Sequence, residues 1–105
     1  MSFNNAFKTI IYAQGKEMTL LRRGETSIQI NMASSNYSRL ASLPEDMVVE
    51  GREFVVAKQD LDDQSFGIPE RGDIIIEEPG LQHSITEVIS MYIFGKIEGY
   101  RLRTR

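Results

Sequence analysis

The residues of this chain whose types and spacing could do chemistry are few: one histidine, three clustered aspartates, an Arg-Gly-Asp tripeptide and a C-terminal row of arginines. His83 stands between Gln82 and Ser84, and no serine-nucleophile motif accompanies it, so it reads as a packing residue of a strand rather than a general base. Asp60, Asp62 and Asp63 make an oxygen-rich stretch of the kind that binds hard cations. A calcium loop counted from Asp60 needs glycine at its sixth position and glutamate at its twelfth, where this chain has Ser65 and Arg71. The three acids therefore read as a solvated segment. Arg71-Gly72-Asp73 matches an adhesion tripeptide, but Pro69 and Gly72 bend the chain there and Asp73 opens the run Ile74-Ile75-Ile76, so a turn that launches a strand is the better account. Without cysteine, disulfides, thiolate zinc sites and thiol nucleophiles are excluded. The chain has no phosphate loop, dinucleotide fingerprint or metal-ligand spacing, and it reads as a non-enzyme that needs no cofactor.

Tyr100-Arg101-Leu102-Arg103-Thr104-Arg105 alternates with period two, so a strand places the three arginines on one face and Tyr100, Leu102 and Thr104 on the other. The arginines then either solvate an edge strand or dock on an acidic surface, for which the acidic middle of another copy is a candidate. Facing DNA, three charges would give only weak, salt-sensitive binding. Net charge is −3, and its distribution matters more than its sum. Residues 45–78 hold eleven acids against three bases, a net of −8, whereas the rest of the chain has nine bases against four acids, a net of +5. An acidic middle with basic flanks argues against a general nucleic-acid binder and suits charge-complementary protein contacts. The residues expected at such an interface are Asp60, Asp62, Asp63, Phe66, Arg101, Arg103 and Arg105, with Phe66 read as exposed within the acidic loop.

Positioning these residues falls mainly to strands. At 105 residues the chain is one domain, with a single core and no room for a deep enclosed site. Phe3, Ala6, Phe7, Ile10 and Ile11 recur at helical spacing, which predicts a short helix or arm over residues 1–15 that stops at Gly15. From residue 17 onward the pattern changes to strands. Residues 18–21 and 26–32 read as a hairpin whose turn holds Arg22, Arg23 and Glu25, and Ile28 and Ile30 alternate with Ser27, Gln29 and Asn31. Residues 33–42 are polar and give no clear assignment. Leu43-Pro44-Glu45-Asp46 is a turn, and residues 47–57 are a hairpin or a strand bent at Gly51. Residues 58–69 are expected to be a flexible loop, with a helical turn near 59–62. Strands follow over 73–77, 82–91 and 99–103, the second of them rich in β-branched residues, with a helix over residues 85–93 as the alternative. Many strands joined by short turns predict a mainly β protein, a small antiparallel β-barrel or sandwich with a short N-terminal helix. Its edges should close on themselves or pair with another copy. No run approaches the roughly 20 apolar residues of a membrane span, and residues 1–5 lack a basic start and apolar run, so synthesis in the cytoplasm is expected.

Four segments taken in order, Gly51-Arg52-Glu53-Phe54-Val55, Pro69-Glu70-Arg71-Gly72-Asp73-Ile74, Ile85-Thr86-Glu87-Val88 and Gly99-Tyr100-Arg101-Leu102, resemble the tailed-phage head-tail joining proteins, the lambda-like head completion or stopper family. The likeness spans roughly residues 47 to 103 and rests on short motifs in a shared order. It implies a small β-barrel with mobile segments that assembles as a ring in the virion neck. One surface would meet the portal or adaptor protein, another the tail or tail-terminator protein, and the sides would meet its own copies, with DNA passing through the ring. Such proteins carry no catalytic residues. A tail-terminator or minor tail protein shares the all-β ring logic. A small nucleic-acid-binding barrel would need aromatic and basic residues interleaved on one face, for which Tyr92, Phe94 and Lys96 are the sole candidates.

Overall fold

Alternation sets the first strand pair. In β1 (Lys16–Leu21) Met18 and Leu20 point inward, and in β2 (Ser27–Ser38) Ile28, Ile30 and Met32 do so. Antiparallel register sets Met18 against Ile30 and Leu20 against Ile28, so apolar side chains meet on one face. The computed structural model describes residue 9 and residues 11–22, 26–38 and 50–104. Four further strands follow: β3 (Glu50–Ala57), β4 (Ile74–Glu78), β5 (Leu81–Ile93) and β6 (Lys96–Thr104), with a helix α1 (Lys58–Asp63) after β3. All pairings are antiparallel, and the order β1-β2-β3-β6-β5-β4 closes into a six-stranded barrel through β4 and β1. Of the two expected architectures, barrel and sandwich, the barrel is the one formed.

Phe54 and Val56 of β3 stand beside Leu102 and Tyr100 of β6 on the inner wall, and Ile75 and Ile85 join them in the core. A bulge in β5 lets Ile85 pair with Thr104 while Glu87 pairs with Arg103. The extra residue, Thr86, shifts parity, so Ile85 and then Val88 face the core three positions apart. Near the N-terminus, residues 11–14 are helical, Ile11 is buried, and the Gly15 N–H bonds the Ile11 carbonyl at 2.8 Å. A side chain at Gly15 would collide with the Met32 carbonyl, so glycine lets the chain leave the helix in contact with β2. Residues 1–8 and 10 of that expected helix or arm, the 23–25 turn and residues 39–49 lie outside the described residues.

Both mouths are filled by the chain's own side chains. At one, Leu61 of α1 and Phe66 enter the core, and the Arg22 guanidinium covers the Phe66 ring at 4.5 Å from its centroid. At the other, Arg52, Glu77 and His83 hold one another. This corrects one expectation for residues 58–69. The helical turn expected near 59–62 is a helix over Lys58–Asp63, followed by a tight turn, but Phe66 is buried rather than exposed. The reason is local: Phe66 N–H bonds the Leu61 carbonyl at 3.1 Å and Ser65 takes a φ of 55°, which swings the ring back under the helix.

Candidate interaction surface

On β6, Tyr100, Leu102 and Thr104 are buried and Arg101 and Arg103 point outward, as alternation predicts. Register supplies what alternation does not. Arg103 pairs across to Glu53 on one side and Glu87 on the other, while Arg101 pairs with Val55. Glu53 therefore reaches both arginines: its Oε1 lies 3.1 Å from Arg101 Nε and its Oε2 accepts a 3.1 Å hydrogen bond from Arg103 Nε. Arg103 Nη1 is also 3.8 Å from Glu87 Oε2. Arg101 Nε is buried and meets Glu53 as an ion pair without hydrogen-bond alignment. The result is a ladder of two bases and two acids on the wall of β3, β6 and β5, electrically balanced rather than basic.

The three expected acids fare differently. Asp60 is buried, with the Tyr12 hydroxyl 3.1 Å from each of its carboxylate oxygens, so it ties the N-terminal helical segment to α1. Asp62 is exposed and accepts from Lys58 at 2.6 Å, an i,i+4 pair that raises the Lys58 pKa above its ordinary value, chiefly through that hydrogen bond. Asp63 is exposed and lines a shallow depression of about 180 Å3 with Tyr12, Gln29, Asn31, Asp60 and Gln64. Arg105 lies outside the described residues. The structure thus joins Arg101 and Arg103 through Glu53, keeps the acids on the helix over one barrel mouth, and removes Phe66 from the surface.

Two features escape the sequence reading. The first is the polar closure of the second mouth. Arg52 shares the parity of Phe54 and Val56, and Glu77 shares that of Ile75, so both charges point into the barrel. Glu77 binds Arg52 through Oε2 and accepts from His83 Nε2 at 3.0 Å through Oε1. The His83 ring packs 5.3 Å from the Phe54 ring, and Arg52 also donates to Ser34 Oγ at 3.0 Å. Same-parity charges in otherwise inward rows were the available signal. Each charge is compensated where it is buried, and the cluster works as a plug.

The second is the β5–β6 hairpin. β3 reaches β6 only as far as Gly99, and β4 reaches β5 only as far as Ser84, so residues 92–97 run on as a two-stranded ribbon. Tyr92 and Phe94 are 64% and 80% exposed near its tip, beside the exposed Lys96. Phe94 and Gly95 form the two-residue turn with φ of 51° and 78°. Two positive φ values are the geometry that matches strand twist, and Asn-Gly is its usual occupant. A phenylalanine in the left-handed region costs about 1–2 kcal/mol. Backbone strain and an exposed aromatic ring thus coincide at the tip of this ribbon.

No protein-family model matches this chain, and no curated protein matches its sequence.

Proposed function

We propose that this protein is a non-catalytic structural component of a tailed-phage virion neck, a head completion or stopper protein that joins the portal or its adaptor to the tail. The observation that carries the reading is where the resembling segments lie in the fold. Gly51-Arg52-Glu53-Phe54-Val55, Ile85-Thr86-Glu87-Val88 and Gly99-Tyr100-Arg101-Leu102 lie on three neighbouring strands, β3, β5 and β6, where Leu102 pairs with Phe54 on one side and Val88 on the other. Pro69 to Asp73 forms the corner that leads into β4. Segments far apart in sequence thereby build one continuous wall, as a shared assembly surface requires.

A barrel whose mouths are both plugged suits a scaffold. DNA would pass through a ring of copies and not through the barrel of one. The projecting Tyr92–Phe94 ribbon and the depression beside Asp63 provide contacts on the same molecule for different neighbours. The nucleic-acid-binding reading is less well supported, because Glu53 and Glu87 balance Arg101 and Arg103, so among the described residues the wall of β3, β6 and β5 offers no basic stripe to displace counterions from phosphates. The test is capture of purified portal and tail proteins by the tagged chain, followed by electron microscopy of the complexes. Ring-shaped complexes with either protein are the expected result. Absence of binding to both would overturn the assignment.

A further inference from the structure

We propose that the outer edge of β5 over residues 88–93 pairs antiparallel with the same edge of a second copy, forming a two-fold dimer. Strands of this barrel are flanked on both sides over only part of their length, and β2 pairs with β1 over residues 27–32 and with β3 over residues 33–38. On β5 the β4 side ends at Ser84, with a last contact to residues 72 and 73 at Ile85. Beyond it, among the described residues, Val88 to Ile93 pair with β6 alone. Natural edges are guarded by lysine, proline, inward charges or shortness. Val88-Ile89-Ser90-Met91-Tyr92-Ile93 has no charge, proline or glycine and extends ~20 Å at the usual strand rise.

The occupant follows from self-complementarity. Pairing centred on Ser90 sets Ile89 against Met91 of the second copy and Val88 against Tyr92, each pair occurring twice by symmetry. It also sets Glu87 against Ile93, whose β6 neighbour is Lys96. Acid and base then stand two strands apart, roughly 10 Å between backbones, on the same face. Shifting the register by one residue would destroy both matches. Such an edge buries less than the ~1,200 Å2 of stable complexes, so the dimer is weak and concentration-dependent. This pairing does not depend on the joining role. It joins only two copies, whereas a ring needs head-to-tail contacts.

Sedimentation velocity over a concentration series tests it, with circular dichroism confirming that each variant is folded. The wild type should shift from monomer to dimer as concentration rises. Ile89→Lys with Met91→Lys places lysine against lysine twice and should weaken dimerisation at least about tenfold. Ile89→Lys with Met91→Glu places lysine against glutamate in the same register and should restore it. A wild type that stays monomeric throughout would overturn the proposal, with an extended strand of another protein then the occupant of this edge. Equal dimerisation of the wild type and the double-lysine variant would also overturn it, and so would a Lys/Glu variant no better than the double-lysine one.

Discussion

Arg22 grips Asp73 with two nitrogens: Nε donates to Oδ1 at 3.2 Å and Nη2 to Oδ2 at 2.9 Å, across 51 residues of sequence. Asp73 is buried, and its Oδ2 also accepts from the Glu70 backbone N–H at 2.8 Å. The same Nη2 of Arg22 bonds the Ile68 carbonyl at 2.9 Å. The aspartate of the Arg-Gly-Asp tripeptide is thus spent inside the fold, closing the corner before β4 and fastening it to the end of β1.

Asp73→Ala should destabilise the protein by about 2–4 kcal/mol, because it strands a half-buried guanidinium and an N–H of the corner. Urea unfolding measures the loss. A double-mutant cycle with Arg22→Met should show coupling between the two sites, and a purely additive cycle would contradict the role assigned to the pair.

Glu77→Ala should cost about 3–5 kcal/mol, since it leaves Arg52 inside the barrel mouth without its carboxylate. Pairing it with Arg52→Met should recover part of that loss. Thermal melts of the two singles and the double decide it, and a double no better than the worse single would mean that the plug is not held by charge pairing.

Phe66→Ala should cost about 3–5 kcal/mol, the penalty of emptying a core position rather than trimming a loop. Hydrogen exchange should protect the Phe66 amide, which bonds Leu61, well above the exposed turn at Gly67. In the same helix, the raised pKa of Lys58 means that its pairing with Asp62 contributes below the ordinary lysine value and is lost as pH rises through the folded value. The pair is exposed, so Lys58→Gln should leave the melting temperature near neutral pH almost unchanged.

Glu53→Gln should expose the charge of Arg101 and Arg103 without unfolding the wall. If these arginines dock on an acidic neighbour, this variant should bind more tightly at low salt, and Arg101→Ala with Arg103→Ala should weaken assembly more at low than at high salt. Assembly indifferent to both changes would confine the arginines to holding β3, β6 and β5 together.

Phe94→Asn should stabilise the isolated protein by about 1 kcal/mol, because asparagine accepts positive φ more readily, while weakening partner capture. A variant that binds as well as the wild type would remove the hairpin tip from the contact surface.

How much of this was legible varies with the range of the interaction. Strand identity was local: Ile28 and Ile30, or Tyr100 and Leu102, alternate with polar neighbours, and a period of two permits only one face to be buried. The corner at Gly72 and the end of the first helix at Gly15 were local too. Alternation also pointed Arg101 and Arg103 outward, but it carries no information about which strand lies beside β6. Only the closed order placed Glu53 between them, 48 and 50 residues back in the chain. For the same reason Asp60 became a buried acceptor of Tyr12, Arg52 found Glu77, and Phe66 turned inward under α1. A charged or aromatic side chain near an element's end is exposed or buried according to what barrel closure brings over it. The sequence by itself determined the strands, their inward faces and the absence of thiol chemistry. The tertiary structure decided which charges are neutralised, which mouths are plugged and which edge stays open, because those depend on neighbours that are distant along the chain.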